Sequence, residues 1–195
     1  MSAFRLSVLE SLTMNSKPSF DNELDYWLII DALRLPDEMQ EIYTQWSGIE
    51  TEPLFLESDF DYLLQQSPII FKFNNKHEYL NDWVSQPILH SSSMLIGKNT
   101  STPNSELLAH LRKLLRVSID GRIAFLRYYT SAFWIEFNGE LSELDRETLI
   151  APATSVYWMQ LPDKQPKNTR IIQAAQSRHE EPYYALGSAI FSKWV

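Results

Sequence analysis

The sequence predicts an α/β fold in a single domain, a mixed β-sheet flanked by helices, with an α+β arrangement as the alternative. Three observations carry that prediction. Apolar segments of strand length alternate with segments of helical period through most of the chain. The first such segment, residues 26–33, is apolar at nearly every position, as expected of a strand buried on both faces. The 195 residues carry 44% hydrophobic content with no break in composition, which is enough for one sizeable core.

Taken in order, residues 4–12 show a short helical pattern (Phe4, Leu6, Val8, Leu9, Leu12), followed by a loop around Pro18. After the strand at 26–33, Pro36 opens a helix in its first turn, and Asp37 and Glu38 suit the helix N-terminus. Met39, Ile42, Tyr43 and Trp46 recur on one face, and Gly48 ends the helix. Residues 53–56 read as a short strand, 59–66 as a helix, 68–73 as a strand, 77–84 as a helix and 93–97 as a third strand. Thr102 is placed as an N-cap and Pro103 as the first residue of the clearest helix, striped by Leu107, Leu108, Leu111, Leu114 and Leu115.

Asp120-Gly121, between apolar segments 117–119 and 123–129, signals a tight hairpin, because this dipeptide adopts the turn that matches strand twist. Helices over 131–137 and 141–149 and a strand over 154–161 complete a body of residues 1–160. Residues 161–195 start in a Pro/Lys-rich stretch and end in an aromatic-bearing tail that is a candidate partner-binding segment.

Composition narrows the function. A net charge of -8 with no basic stripe longer than His110 to Lys113 plus Arg116 disfavours nucleic acid. The absence of cysteine removes disulfides, thiol catalysis and thiolate metal sites. No basic segment precedes an apolar stretch at the N-terminus, and no apolar run approaches the ~20 residues of a membrane span. The expectation is a cytoplasmic protein without a membrane partner.

The search for chemistry is mostly negative. There is no phosphate loop, no dinucleotide fingerprint and no GxSxG elbow. His77, His90, His110 and His179 are far apart and lack metal-ligand spacing. The segment His179-Glu180-Glu181 is read as a solvated tail segment in preference to an acid/base or metal site. Paired carboxylates such as Asp59 and Asp61 discriminate nothing in an acidic chain. No catalytic residue, cofactor or metal is expected, and the chain is read as a non-enzyme.

Two charges sit in apolar surroundings: Asp31 in the first strand, and Arg127 on a strand face with Ile123, Phe125 and Tyr129. Buried charges require partners. A structural ion pair between them is the favoured reading, with an anion or ligand site at Arg127 as the alternative.

The segment from Leu107 to Leu115, then Asp120-Gly121-Arg122, then Phe125 to Tyr129 resembles the type VI secretion adaptor chaperones (Tap or Tec adaptors). That family shows an hLRxLL helix, a DG turn and an hFRFYDP-like strand. Residues 26–33 with Asp31, 67–71 and 91–97 resemble its upstream strands, so the likeness spans about residues 25–158. Thr130-Ser131 replaces the family's Asp-Pro, and the Trp-Gly before the third strand is missing. If that Asp normally pairs with the strand arginine, Asp31 or Asp120 is the candidate substitute here.

The resemblance implies a protein that binds a cognate toxic effector and favours its delivery to the VgrG spike, with no catalytic residues to transfer. Asp31, Leu111, Arg112, Asp120, Gly121 and Arg127 are expected to define the fold. Candidate contact aromatics are Tyr128, Phe133 and Trp134 after the hairpin, and Tyr183, Tyr184, Phe191 and Trp194 in the tail, with core packing as the alternative for each. An immunity protein that neutralises a toxin and an enzyme of unrecognised type are the competing functions.

Overall fold

A computed structural model describes residues 20–160, 165–171 and 182–194. The helix expected at 4–12, the loop around Pro18 and the segment His179-Glu180-Glu181 lie outside the described residues. The architecture is a single-domain α+β fold: a six-stranded antiparallel sheet with helices on both faces, plus a smaller three-stranded sheet.

The strands of the large sheet are β1 (Leu24–Ile30), β2 (Glu50–Pro53), β3 (Ile69–Asn74), β4 (Ser93–Asn99), β7 (Ser155–Gln160) and β8 (Gln165–Arg170), in spatial order β2-β3-β1-β4-β7-β8. Every neighbouring pair is antiparallel. The apolar first strand is central because it has buried layers on both sides. Tyr26, Leu28 and Ile30 point into one core with Leu35, Ile42, Trp46, Leu80 and Trp83. The last five of these come from the turn after β1, from α1 (Met39–Gln45) and from α2 (Glu78–Ser85) or their immediate ends. Trp27 and Ile29 point the opposite way into a larger core. That core includes Leu107 and Leu111 of α3 (Asn104–Lys113), Trp134 of α4 (Ser131–Phe137) and Leu149 of α5 (Glu143–Ile150). A residue alternation of two along a strand is what separates the two sets.

The small sheet packs on the larger core. It contains β5 (Arg116–Ile119), β6 (Arg122–Phe125) and β9 (Tyr184–Leu186), in order β6-β5-β9. Asp120 (φ 48°) and Gly121 (φ 77°) both occupy the left-handed region, as a two-residue hairpin turn of this type demands. The pair β5–β9 is parallel. No helix among the described residues is long and apolar enough to cross a membrane.

Several boundaries differ from the sequence reading. β1 stops at Ile30, and Ala32–Arg34 is a 3-10 turn. The short strand expected at 53–56 lies earlier, at Glu50–Pro53. Leu54 and Phe55 instead turn inward and are buried. Residues 61–66 form a 3-10 helix interrupted at Leu63. Pro103 is extended and precedes α3, which starts at Asn104.

β6 ends at Phe125, so Arg127 and Tyr129 do not share its face. After a last ladder bond from the Leu126 amide to the Leu115 carbonyl (3.0 Å), the chain turns inward and buries Leu126, Tyr128 and Tyr129.

The described parts of 161–195 are built into the body, which corrects their reading as an appended tail. β8 extends the large sheet, β9 closes the small one, and Leu186, Ile190 and Phe191 are core residues. Asp145 anchors this return. Its buried carboxylate accepts from the backbone N–H of Gly187 (3.1 Å), from the N–H of Ser188 (2.6 Å) and from the Ser188 hydroxyl.

Candidate interaction surface

The small sheet has one buried and one outward face. Val117 and Ile119 of β5 point into the core. The hairpin register pairs Ser118 with Ile123 and Arg116 with Phe125, and that sets these four on the other face. Ile123 (45%) and Phe125 (41%) are consequently exposed although apolar. Phe125 packs against Phe60 (ring centroids 4.7 Å) and more loosely against Phe55 (6.3 Å), so the apolar strip continues onto the turn before the 61–66 helix. Among the described residues β6 is also an edge strand of its sheet. An exposed, aromatic-bearing edge is a pairing surface for another chain.

Phe60 and Arg116 also line an open groove of about 520 Å³, together with Glu57, Ser58, Asp59, Ala109, Arg112, Lys113, Pro182 and Tyr183. One wall is the 57–60 turn, and the other is the C-terminal end of α3. Arg112 contacts Glu52 (2.5 Å) and Glu57 (3.0 Å), while Arg116 contacts Asp59 (2.5 Å) and lies 4.8 Å from the Tyr183 ring. Lys113 sits 4.5 Å from the Tyr184 ring. Below the groove the network continues inward, because Glu52 also pairs with the buried Lys72 (2.8 Å), which meets Glu50 as well (2.6 Å). Burial raises the Glu52 carboxyl, but Lys72 and Arg112 outweigh it and hold the carboxyl below its ordinary range. Burial likewise lowers Lys72, and its two carboxylate partners more than reverse this.

The Asp31–Arg127 ion pair exists, at the end of the central strand rather than within it. Asp31 is buried (2%) and accepts from the half-exposed Arg127 guanidinium, with Arg34 3.8 Å away. Asp31, not Asp120, is therefore the partner of Arg127. Burial opposes the charge on Arg127, and Asp31 more than compensates. Tyr129 beside them is pushed up to about 12, by burial first and then by the Asp31 charge.

Four of the seven candidate contact aromatics are core residues, so they are not surface anchors. Tyr128 donates from its hydroxyl to the Leu111 carbonyl (2.8 Å), and the Trp134 indole donates to the Tyr128 carbonyl (2.9 Å). Trp134 stacks on Trp158, Phe133 packs on Phe137, and Phe137 stacks on Phe191. These large side chains fill the space between α4 and the sheet, which leaves them no path to a partner. Tyr183 at the groove and Tyr184 next to it in β9 remain partly exposed. The Trp194 side chain lies outside the described residues.

The residues missed were Phe60, Ile123 and Phe125 as surface groups. A signal for two of them existed: a two-residue Asp-Gly turn pairs Ile119 with Arg122, which already assigns Ile123 and Phe125 to the polar face. Nothing in sequence spacing brings Phe60 to them.

The three described histidines have separate structural settings. His77 packs edge-on to Tyr26, His90 Nε2 lies 3.0 Å from the Val84 carbonyl, and His110 Nδ1 lies 2.9 Å from the Tyr184 hydroxyl. Among the described residues no group of His, Asp or Glu could hold a metal ion.

No curated protein and no solved structure matches the chain. A family model described as "Domain of unknown function (DUF4123)" matches residues 26–148, from β1 into α5. This span holds Asp31, Leu111, Arg112, Asp120, Gly121 and Arg127, together with the outward face of β6 and most of the groove, whereas β7, β8 and β9 fall beyond it. The match takes in well over half of the sequence, and this chain belongs to the DUF4123 family.

Proposed function

We propose that this protein is a cytoplasmic, non-enzymatic adaptor chaperone of type VI secretion that grips a cognate toxic effector and promotes its loading onto the VgrG spike. The observation that carries the reading is the aromatic strip Phe60, Phe125 and Ile123 on an edge strand, continuous with a charged groove. Exposed apolar residues gathered at a free strand edge suit capture of a polypeptide. A mixture of apolar anchors and a polar rim suits an interface that holds specifically and still releases. The resemblance of the helix–hairpin segment to the type VI adaptors supports the same reading, and the DUF4123 match covers that segment.

Co-purification of the tagged chain from its native host, with mass spectrometry of the proteins retained, tests this. The expected companions are one effector and, in its presence, the spike protein. The double variant I123D/F125D is expected to keep its fold at a cost of about 1–3 kcal/mol, and to lose at least about tenfold in effector recovery. Retention of an isolated toxic domain without spike association would point to an immunity protein. Turnover of a substrate by the purified chain, with no protein companion, would sink the adaptor reading.

A further inference from the structure

We propose that the groove between the 57–60 turn and the end of α3 receives an acidic segment of the bound polypeptide, whose carboxylates replace Glu57 and Asp59 on Arg112 and Arg116. The proposal rests on the adaptor reading and names the chemistry of its partner at this site.

The groove brings together three cations, Arg112 and Lys113 at the end of α3 and Arg116 at the start of β5, in a chain whose net charge is -8. The two guanidiniums are held in place by groups other than the exposed acids. Arg112 is largely covered (10% exposed) and is fixed from below by Glu52. Arg116 lies against Tyr183. By contrast, Glu57 (78%) and Asp59 (60%) stand in solvent. Ion pairs between a placed cation and an exposed carboxylate contribute little net stability, so exchange for another carboxylate is close to neutral in the protein. The pairing therefore sets the register of the incoming chain, and the apolar positions beside the cations supply the net gain.

The turn is built to survive that exchange. The Ser58 hydroxyl donates to the Phe55 carbonyl (2.7 Å) and accepts from the Phe60 amide (3.1 Å), and neither bond involves Glu57 or Asp59 side chains. Glu57 itself is held at φ 55°, in the left-handed region that a residue with a Cβ visits at some cost. A backbone conformation of this kind at an exposed residue fits a group that the turn presents to the groove.

The groove runs onto Phe60, and Phe60 onto Phe125, so apolar positions flank the cations. The fitting segment carries acidic residues next to aromatic or aliphatic ones. A basic segment, which the chain's overall charge would attract, finds at the groove wall two acids that are already paired.

The test uses two fluorescein-labelled decapeptides, one alternating Glu with Phe and one alternating Lys with Phe, read by fluorescence anisotropy on the full chain. The Glu/Phe peptide is expected to bind more tightly. The double variant E57Q/D59N is expected to bind it about three- to tenfold tighter, because two internal competitors are removed. R116E is expected to bind it at least about tenfold more weakly, with R116Q as the milder variant should charge reversal disturb folding. Equal or stronger binding of the Lys/Phe peptide, or unchanged affinity in E57Q/D59N, overturns the proposal.

The two readings fail separately. If the wild-type chain retrieves its effector from host lysate and R116Q retrieves it equally well, the groove assignment falls and the adaptor reading stands. If the wild-type chain retrieves no effector, the adaptor reading falls, and the groove assignment, which rests on it, falls as well.

Discussion

Asp31 and Arg127 illustrate how a single residue is placed by the chemistry it must satisfy. A carboxylate that is 2% exposed needs donors, and Arg127 supplies one from 96 positions away. Replacing Arg127 with Met leaves that carboxylate buried, with the more distant Arg34 as its one remaining cation among the described residues. The expected loss is about 1–3 kcal/mol in urea unfolding. The double variant D31N/R127M is expected to recover part of it.

Glu52 provides a pH-dependent counterpart. Its folded value lies below its ordinary 4.5, so the stability it contributes is complete above pH 4.5 and is lost as pH falls through the folded value. In E52Q that part of the acid-side decline is expected to be absent when unfolding is followed between pH 6 and pH 3. An unchanged slope would show that the Lys72–Glu52–Arg112 network does not hold the carboxyl low. Neither effect was legible beyond the suspicion of a pair, since no spacing rule connects Glu52 to Lys72 and Arg112.

At the scale of the element, β4 shows why local pattern alone is insufficient. The sequence marks residues 93–97 as a strand but gives no reason for a glycine at 97, where an interior strand residue normally benefits from a side chain. A Cβ at this position would lie 2.5 Å from the Ser155 Oγ and 3.0 Å from Leu24 Cδ1, so β1 and β7 close on β4 where only a hydrogen fits. G97A is expected to destabilise by about 1–3 kcal/mol, and adding S155G is expected to restore part of that in the same denaturation assay.

The hairpin is the opposite case. Asp120-Gly121 announced its turn and register directly, because both left-handed residues are chemically conspicuous. The end of β6 was not announced. Leu126 to Tyr129 continue the apolar run of the strand, and only the buried sites that await Leu126 and Tyr128 pull the chain out of the sheet.

On the scale of the whole molecule, the described residues after 160 finish the fold. Leu186, Ile190 and Phe191 enter the same core as α3 and α4, and the Asp145 carboxylate holds the return at Gly187 and Ser188. Truncation after residue 171 therefore exposes core and leaves a buried carboxylate without its donors. Such a chain is expected to lose cooperative thermal unfolding and to bind a hydrophobic dye, as measured by calorimetry and fluorescence. A truncated chain that melts cooperatively near the full-length temperature would show that the segment is dispensable.

The fold class, the central apolar strand, α3 and the Asp-Gly hairpin were determined by the sequence itself, because period, glycine and turn chemistry act on residues close along the chain. Which aromatics stay outside was decided only by tertiary structure. Trp134 and Phe133 were candidate contacts in the sequence whereas Phe125 was not, and Phe60 gave no sign of being its neighbour. Burial depends on which surfaces close over a side chain. For Trp134 that surface is the distant Trp158, and for Phe125 none closes completely.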